Sequence, residues 1–356
     1  MKKTVTDWVR PEIQKLSAYA VHEAGNAIKL DAMENPYHWD TALTEEWLNY
    51  LKTAAINRYP DPGARQVKKQ FRELLQLPDN MELILGNGSD ELIQMLALTL
   101  NGEGHVILAP EPSFVMYRLV AQCVGMQYVS VPLQAKSFTL DMFAMLEAID
   151  TYQPALIFLS YPNNPTGNAF AVADIEAIIE TTSGVVVIDE AYAPFTDKTF
   201  LPRLSEYPNL LVMRTVSKLG LAGIRLGLLA GSSEWLQQLE KTRLPYNINV
   251  LTQLTAEFAL QHYHVLEAQT RQIRVDREQL LKHLNAINGV HAWVSEANFI
   301  LFRVADAFGV FNKLKSKGIL IKCLHSSHPL LSNCLRVTVG TAEENQAFLK
   351  VLSDIM

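Results

Sequence analysis

A lysine and an aspartate, each closing an apolar run, are the side chains of this sequence best suited to covalent and acid–base chemistry. Lys218 follows NLLVMRTVS (209–217) and precedes a glycine-rich stretch. An amine partly desolvated among other cations loses proton affinity and becomes a nucleophile toward aldehydes. Asp189 ends the run VVVID, and a carboxylate at the buried mouth of such a strand is costly unless it meets a cation. Tyr192, three residues on, can bring its phenol to the same crevice. Thr215, Ser217 and Arg225 flank the lysine with hydroxyl donors and a forked cation suited to phosphate. ILGNGSDELI (84–93) sets Gly88, Ser89 and Asp90 in a turn between strand and helix, where unpaired N–H groups and the helix dipole favour a phosphate. A dinucleotide fingerprint would need glycine where Glu91 stands, so that alternative fails. Asn164, in YPNNPTG (161–167), follows another apolar run and can hold its amide toward the same face. Taken singly, each residue has an ordinary explanation as a cap, a turn or surface polarity. Together, a phosphate cradle, a buried acid and a nucleophilic amine fall at the ends of strands of one sheet.

Those strands can be read from hydrophobic patterning. Short β-branched runs at 81–86, 105–110, 126–133, 154–162, 184–192 and 209–217 alternate with segments of helical period at 90–100, 141–150 and 172–182. Strands apolar on both faces and separated by helices predict an α/β fold, with a mostly parallel sheet and helices on both sides. A helical stretch from Asn249 to Asn288 leads into short strands at 291–296, 298–304, 319–324 and 334–340 with helices among them, which predicts a smaller α+β domain. The expected organisation is an arm over 1–40 that also contributes to the small domain, a large domain over 41–270 and the small domain over 271–356.

Composition narrows the partners. With 49% hydrophobic residues and a formal charge of −6, the chain has ample core and no global cationic field for nucleic acid. Three scattered cysteines, Cys123, Cys323 and Cys334, form neither a disulfide framework nor a zinc motif and fit a reducing, cytoplasmic compartment. No apolar run reaches the ~18 residues of a membrane span. His325 with His328, and His262 with His264, lack the acidic or cysteine neighbours of a metal site, so none is expected.

The series GNGSDE, EPSFVMY, YPNNPTG, DEAY, SKLGLAGIRLG and LRVTVGT, in this order and at this spacing, resembles the fold-type I pyridoxal-phosphate aminotransferases. LDAMENPYHW, NRYPDP and ANFILFR are most similar to the histidinol-phosphate aminotransferase subgroup, and the resemblance covers nearly the whole chain. It implies pyridoxal 5′-phosphate as cofactor, covalently held by Lys218, with Asp189 against the ring nitrogen. Asn164 and Tyr192 would hold the ring's 3′ oxygen and Phe114 would cover its face. Gly88, Ser89, Asp90, Thr215, Ser217 and Arg225 would form the phosphate cup, reached by Tyr59 from a second subunit of a homodimer with shared sites. Arg336 would grip the anionic group of the substrate, with Asn298, Tyr19 and Lys322 nearby. The implied substrates are histidinol phosphate and 2-oxoglutarate or glutamate; an aromatic aminotransferase or an amino-acid-phosphate decarboxylase is the alternative. Three departures bear on substrate choice. Lys322 stands where relatives often carry arginine, ENPYHW replaces ENPYG, and the step from Lys218 to Arg225 is one residue shorter than in some relatives.

Overall fold

The computed structural model describes residues 3–18 and 25–356. In chain order its strands are β1 (Ile28–Lys29), β2 (Met81–Gly86), β3 (Val106–Glu111), β4 (Gln127–Pro132), β5 (Leu156–Ser160), β6 (Val185–Asp189), β7 (Leu210–Thr215), β8 (Gly227–Ser232), β9 (His291–Ala292), β10 (Phe299–Arg303), β11 (Ile319–Leu320), β12 (Lys322–Cys323) and β13 (Cys334–Thr338). Seven form one sheet in the order β2-β8-β7-β6-β5-β3-β4. Within it only β8 runs against its neighbours.

The apolar runs are explained by what covers them. Along β6, Val185 and Val187 join the layer containing helices Ser89–Leu100 and Met116–Val124, while Val186 and Ile188 join the layer on the other face. A strand buried on both sides has no polar face to show, so alternation disappears from its sequence. β8 was not among the sequence-expected strands because its core, GLLAG, is short and bounded by glycines. In the sheet it lies between β2 and β7, buried along most of its length.

The small antiparallel sheet has the order β12-β13-β10-β9, and β1 pairs in parallel with β11. The apolar run over 319–324 is therefore two short strands serving different sheets rather than one. The helical stretch 249–288 is likewise two helices, Val250–Gln261 and Tyr263–Ala286, separated at His262, whose φ of −106° and ψ of 26° leave the helical range. The second helix spans both layers. Leu266 packs in the core of the large sheet, whereas Ile273, Leu280 and Leu284 pack in that of the small one.

Residues 31–35 cross between the two sheets as a strap. Arg336 donates to the Asp31 carbonyl at 3.0 Å, Met33 N–H donates to Thr338 Oγ1 at 3.0 Å, and Asn35 donates to the Leu219 carbonyl at 3.1 Å. A second tie is Arg277, which donates from Nη1 to the carbonyls of Phe195 and Ala297, both at 3.1 Å. Replacing it by Met keeps the stem but leaves two buried carbonyls unpaired, each worth ~1–3 kcal/mol. Arg277→Met is expected to lower unfolding free energy by about 2–4 kcal/mol in urea titration; a change within about 0.5 kcal/mol would show the tie to be dispensable.

Candidate active site

One edge of the large sheet collects the chemistry. β2, β3, β5, β6 and β7 all end there and β8 begins there, with Gly86 and Thr215 both opposite Gly227 and Ser160 opposite Asp189. The C-terminal edge of parallel strands is where α/β folds bind ligands.

At one end of this edge lies an anion cradle. Ser89 opens the 12-residue helix Ser89–Leu100, so its N–H and those after it have no intrahelical acceptor. Gly88 precedes it at φ +83°, and a Cβ there would come within 2.5 Å of Arg225 Nη2. A Cβ at Gly227 would come within 2.6 Å of the Ser89 nitrogen. The two glycines thus let backbone and guanidinium converge. Thr215 Oγ1 donates to Ser217 Oγ at 2.9 Å, which places two hydroxyls beside them. Arg225 is oriented by Asp90, to whose Oδ2 it donates at 3.1 Å. Both partners are half-exposed, so this pair sets geometry more than stability. Glu91, the residue that breaks the dinucleotide fingerprint, accepts from the Asn87 N–H and the Asn247 amide and holds the turn from behind.

At the other end lies Asp189, 3% exposed. Its Oδ2 accepts from the Tyr117 hydroxyl at 2.6 Å and its Oδ1 from the Ala191 N–H at 3.1 Å. Burial pushes the carboxyl up to about 6, and the two hydrogen bonds only partly oppose this. Tyr117 is itself fully buried, stacked on Phe158 with ring centroids 4.5 Å apart. The sequence reading missed it, although it closes EPSFVMY and lies three residues beyond Phe114. Glu190 is held elsewhere, by Arg214 and the Phe200 N–H, so of the adjacent Asp–Glu pair only Asp189 enters the site.

Between the two ends, Lys218 Nζ donates to the Ala32 carbonyl of the strap at 3.2 Å. Burial, reinforced by the positive charges of Arg336 and Arg225 and partly offset by Glu34 and Asp90, brings its pKa down to about 8. Asn164 donates to the Tyr192 hydroxyl at 3.0 Å and accepts from Arg336 Nη1, joining cofactor-side and substrate-side candidates in one buried network. Met33, Phe114 and Asn164 line both this pocket and an adjoining cavity of about 480 Å³. Lys322 and Arg336 line the larger cavity and are register partners across β12 and β13.

Of the remaining sequence candidates, Asn298 and Tyr59 are not among the lining residues, whereas His328 lines the larger cavity. Asn298 is fully buried and donates to the Met33 carbonyl at 3.0 Å, touching the site through the strap. Tyr59 is 80% exposed and stacked on Tyr246 at 4.4 Å, away from both pockets of its own chain. Tyr19 lies outside the described residues. His325 and His328 accept backbone N–H groups of Asn333 and Leu330 through Nδ1. Among the described residues no group of three or more His, Cys, Asp or Glu could hold a metal ion.

An anion cradle, a buried acid and an amine between them fit a flat, basic ring carrying a phosphate arm. Pyridoxal 5′-phosphate has that chemistry, and the Cβ that Gly88 lacks would displace Arg225, the guanidinium of the cradle. Gly88→Ala, strained at positive φ and crowding Arg225, is expected to weaken pyridoxal phosphate about tenfold in equilibrium dialysis; unchanged affinity would remove Gly88 from the cradle. The lowered pKa of Lys218 penalises the folded state fully below pH 8, and the penalty fades as pH rises from about 8 toward 10.5. In cofactor-free protein, acetylation of Lys218 followed by mass spectrometry should titrate near pH 8. Titration alongside surface lysines, near pH 10.4, would contradict this.

Comparison with known proteins accords with this site. The family model for aminotransferase class I and II matches residues 26–352. A Nitrosococcus oceani protein named histidinol-phosphate aminotransferase 2 is 54% identical, covering 99% of this chain and 98% of its own. A Chromobacterium violaceum histidinol-phosphate aminotransferase is 49% identical, covering 99% of each. Among solved structures, histidinol-phosphate aminotransferase from Sinorhizobium meliloti in complex with pyridoxal-5′-phosphate shares the fold with a TM-score of 0.86 at 22% identity, covering 98% of this chain and 97% of its own. Family match, full-length likeness and the geometry of the sheet edge agree, and the chain belongs to the class I and II aminotransferases, enzymes that depend on pyridoxal phosphate.

Proposed function

We propose that this chain transfers the amino group of L-histidinol phosphate to 2-oxoglutarate, yielding glutamate, in histidine biosynthesis. The observation that carries this reading is full-length identity of 54% to a relative of that name, in a chain whose substrate cavity sets Arg336 opposite Lys322. A guanidinium can meet a phosphate in one half-reaction and a carboxylate in the other with the same planar fork.

Each side chain then has a task. Ser89, Thr215, Ser217 and Arg225, with the backbone at Gly88 and Asp90, bind the cofactor phosphate. Asp189, ionised once it faces a basic ring nitrogen, holds a proton there, and Tyr117 keeps its carboxylate aimed. Asn164 and Tyr192 hold the 3′ oxygen, and Phe114 covers the ring face. The bound cofactor supplies an electron sink for the carbon that carries the amino group. Lys218 would hold the cofactor through Nζ; once the substrate amine takes over that bond and frees the lysine, its amine, with a pKa brought near working pH, could take the proton from that carbon and return it. Arg336 orients the substrate anion, with Lys322 adding charge. Asn298 acts through the Met33 carbonyl, and Tyr19 completes the substrate side.

Around this site we read residues 41–270 as the cofactor-binding unit and 271–356, with the arm 1–40, as the smaller one. The change of packing partner between Leu266 and Ile273 supports the division. The exposed Tyr59 supports a homodimer in which it reaches the partner's phosphate cup, and three unpaired cysteines support a cytoplasmic setting. No helix among the described residues is long and apolar enough to cross a membrane.

With 2-oxoglutarate present, purified holoenzyme is expected to form glutamate from histidinol phosphate at far higher kcat/KM than from phenylalanine or tyrosine. Lys218→Ala is expected to lose at least ~100- to 10,000-fold in rate. A preference for the aromatic amino acids, or carbon dioxide release from threonine phosphate without 2-oxoglutarate, would overturn the assignment.

A further inference from the structure

The larger cavity has a polar patch that none of the roles above uses. Away from the wall it shares with the cofactor pocket, its lining includes Glu111, Arg118 and His328 among apolar neighbours such as Val115, Leu324 and Leu331. Glu111 is the last residue of β3, on the same sheet edge as Asp189. Its Oε1 accepts from Arg118 Nε at 3.0 Å and from the Tyr128 hydroxyl at 3.1 Å, and its Oε2 accepts from Arg118 Nη2 at 2.6 Å. Arg118 is fixed in turn by lying over the Tyr128 ring, 4.6 Å from its centroid. A carboxylate has about four acceptor positions, and three are taken here, which leaves one on Oε2.

His328 supplies the opposite polarity. Its Nδ1 accepts the Leu330 N–H at 3.2 Å, which caps the short turn Pro329–Leu331. A neutral imidazole that accepts through Nδ1 carries its proton on Nε2 and is a donor there. Burial lowers the pKa of His328, so the ring is neutral at physiological pH, and it is near enough to Glu111 and Arg118 to feel both charges. The patch therefore offers one acceptor and one donor. A neutral imidazole presents one N–H and one bare nitrogen, the complement of that pair; a phenyl ring presents neither.

We propose that Glu111 and His328 recognise the imidazole of the substrate, Glu111 Oε2 accepting from its N–H and the His328 Nε2–H donating to its other nitrogen. Arg118 and Tyr128 are positioning residues that fix the carboxylate. This rests on the assignment of histidinol phosphate as substrate and adds to it the residues that choose the ring. Arg336 and Lys322 handle the anionic group of any such substrate, whereas the Glu111–His328 pair distinguishes an imidazole from a benzene ring of similar size.

The test compares steady-state kinetics of holoenzyme on L-histidinol phosphate and on L-phenylalaninol phosphate, which keeps the phosphate and amine and lacks the ring nitrogens. Glu111→Gln removes the free acceptor. His328→Asn keeps an acceptor for the Leu330 N–H while its shorter amide places no donor at the Nε2 position, so it serves if the first variant folds poorly. Each variant should lower the kcat/KM preference for histidinol phosphate about 10- to 100-fold, mainly through KM. A wild-type preference for histidinol phosphate that persists within about twofold in both variants would overturn this recognition role and leave the substrate assignment standing. Equal losses on both substrates would mean a structural role only and would also overturn it. A wild-type enzyme that uses both phosphates equally would overturn the recognition role alone, and one that does not turn over histidinol phosphate would overturn both readings.

Discussion

A carboxylate buried at the end of a central strand is the constraint around which this molecule is organised. Asp189 terminates a five-residue strand with covered faces, where an ionised group loses most of its hydration. One hydroxyl and one backbone N–H hold its two oxygens, and they do not suffice to return its pKa to the ordinary range. The pocket therefore asks for a cation at that point. A protonated ring nitrogen would answer that demand, and the anion cradle along the same edge would take a phosphate carried by the same molecule. The hydrophobic sheet is the scaffold that makes one charge expensive enough to control the chemistry.

The same logic governs the amine. Lys218 is enclosed by the strap and sits near Arg336 and Arg225, so the two cations proposed to receive substrate and cofactor anions also lower its proton affinity. Binding and base strength are coupled by position. The strap at 31–35 enforces this by bonding to the small sheet through Asp31 and Met33 and to the lysine loop through Ala32 and Asn35. Met33 adopts a left-handed φ of +53° while lining both pockets, a conformation held by Thr338 and Asn298 on either side of its peptide.

The fold class, the mostly parallel sheet and the cluster at the strand ends were legible in the sequence because each follows from local rules. An apolar run with no alternation requires cover on both faces, and a polar residue at its end marks the ligand edge. Lys218, Asp189, Asn164, Tyr192 and Arg225 all lie on such punctuation. Tyr117 was not legible as a partner of Asp189, because on its helix it reads as one more core aromatic. β8 was hidden by its glycines, of which Gly227 serves close approach at Ser89 and Gly231 makes room for Leu211, rather than strand propensity. The split at His262 left apolar periodicity intact on both sides of it.

Local chemistry thus determined which residues were available: an amine, an acid, a glycine turn and a set of cations, spaced along alternating strands and helices. Only the tertiary structure decided which of them meet. The Arg336–Asn164–Tyr192 chain joins positions up to 172 residues apart, and Glu111 and Arg118, at the large sheet, line one cavity with His328, on the loop between β12 and β13. Such contacts have no periodicity and no spacing to betray them. They exist because two independently packed layers are strapped together, and the hydrogen bonds between layers, not along the chain, set the shape of the pocket.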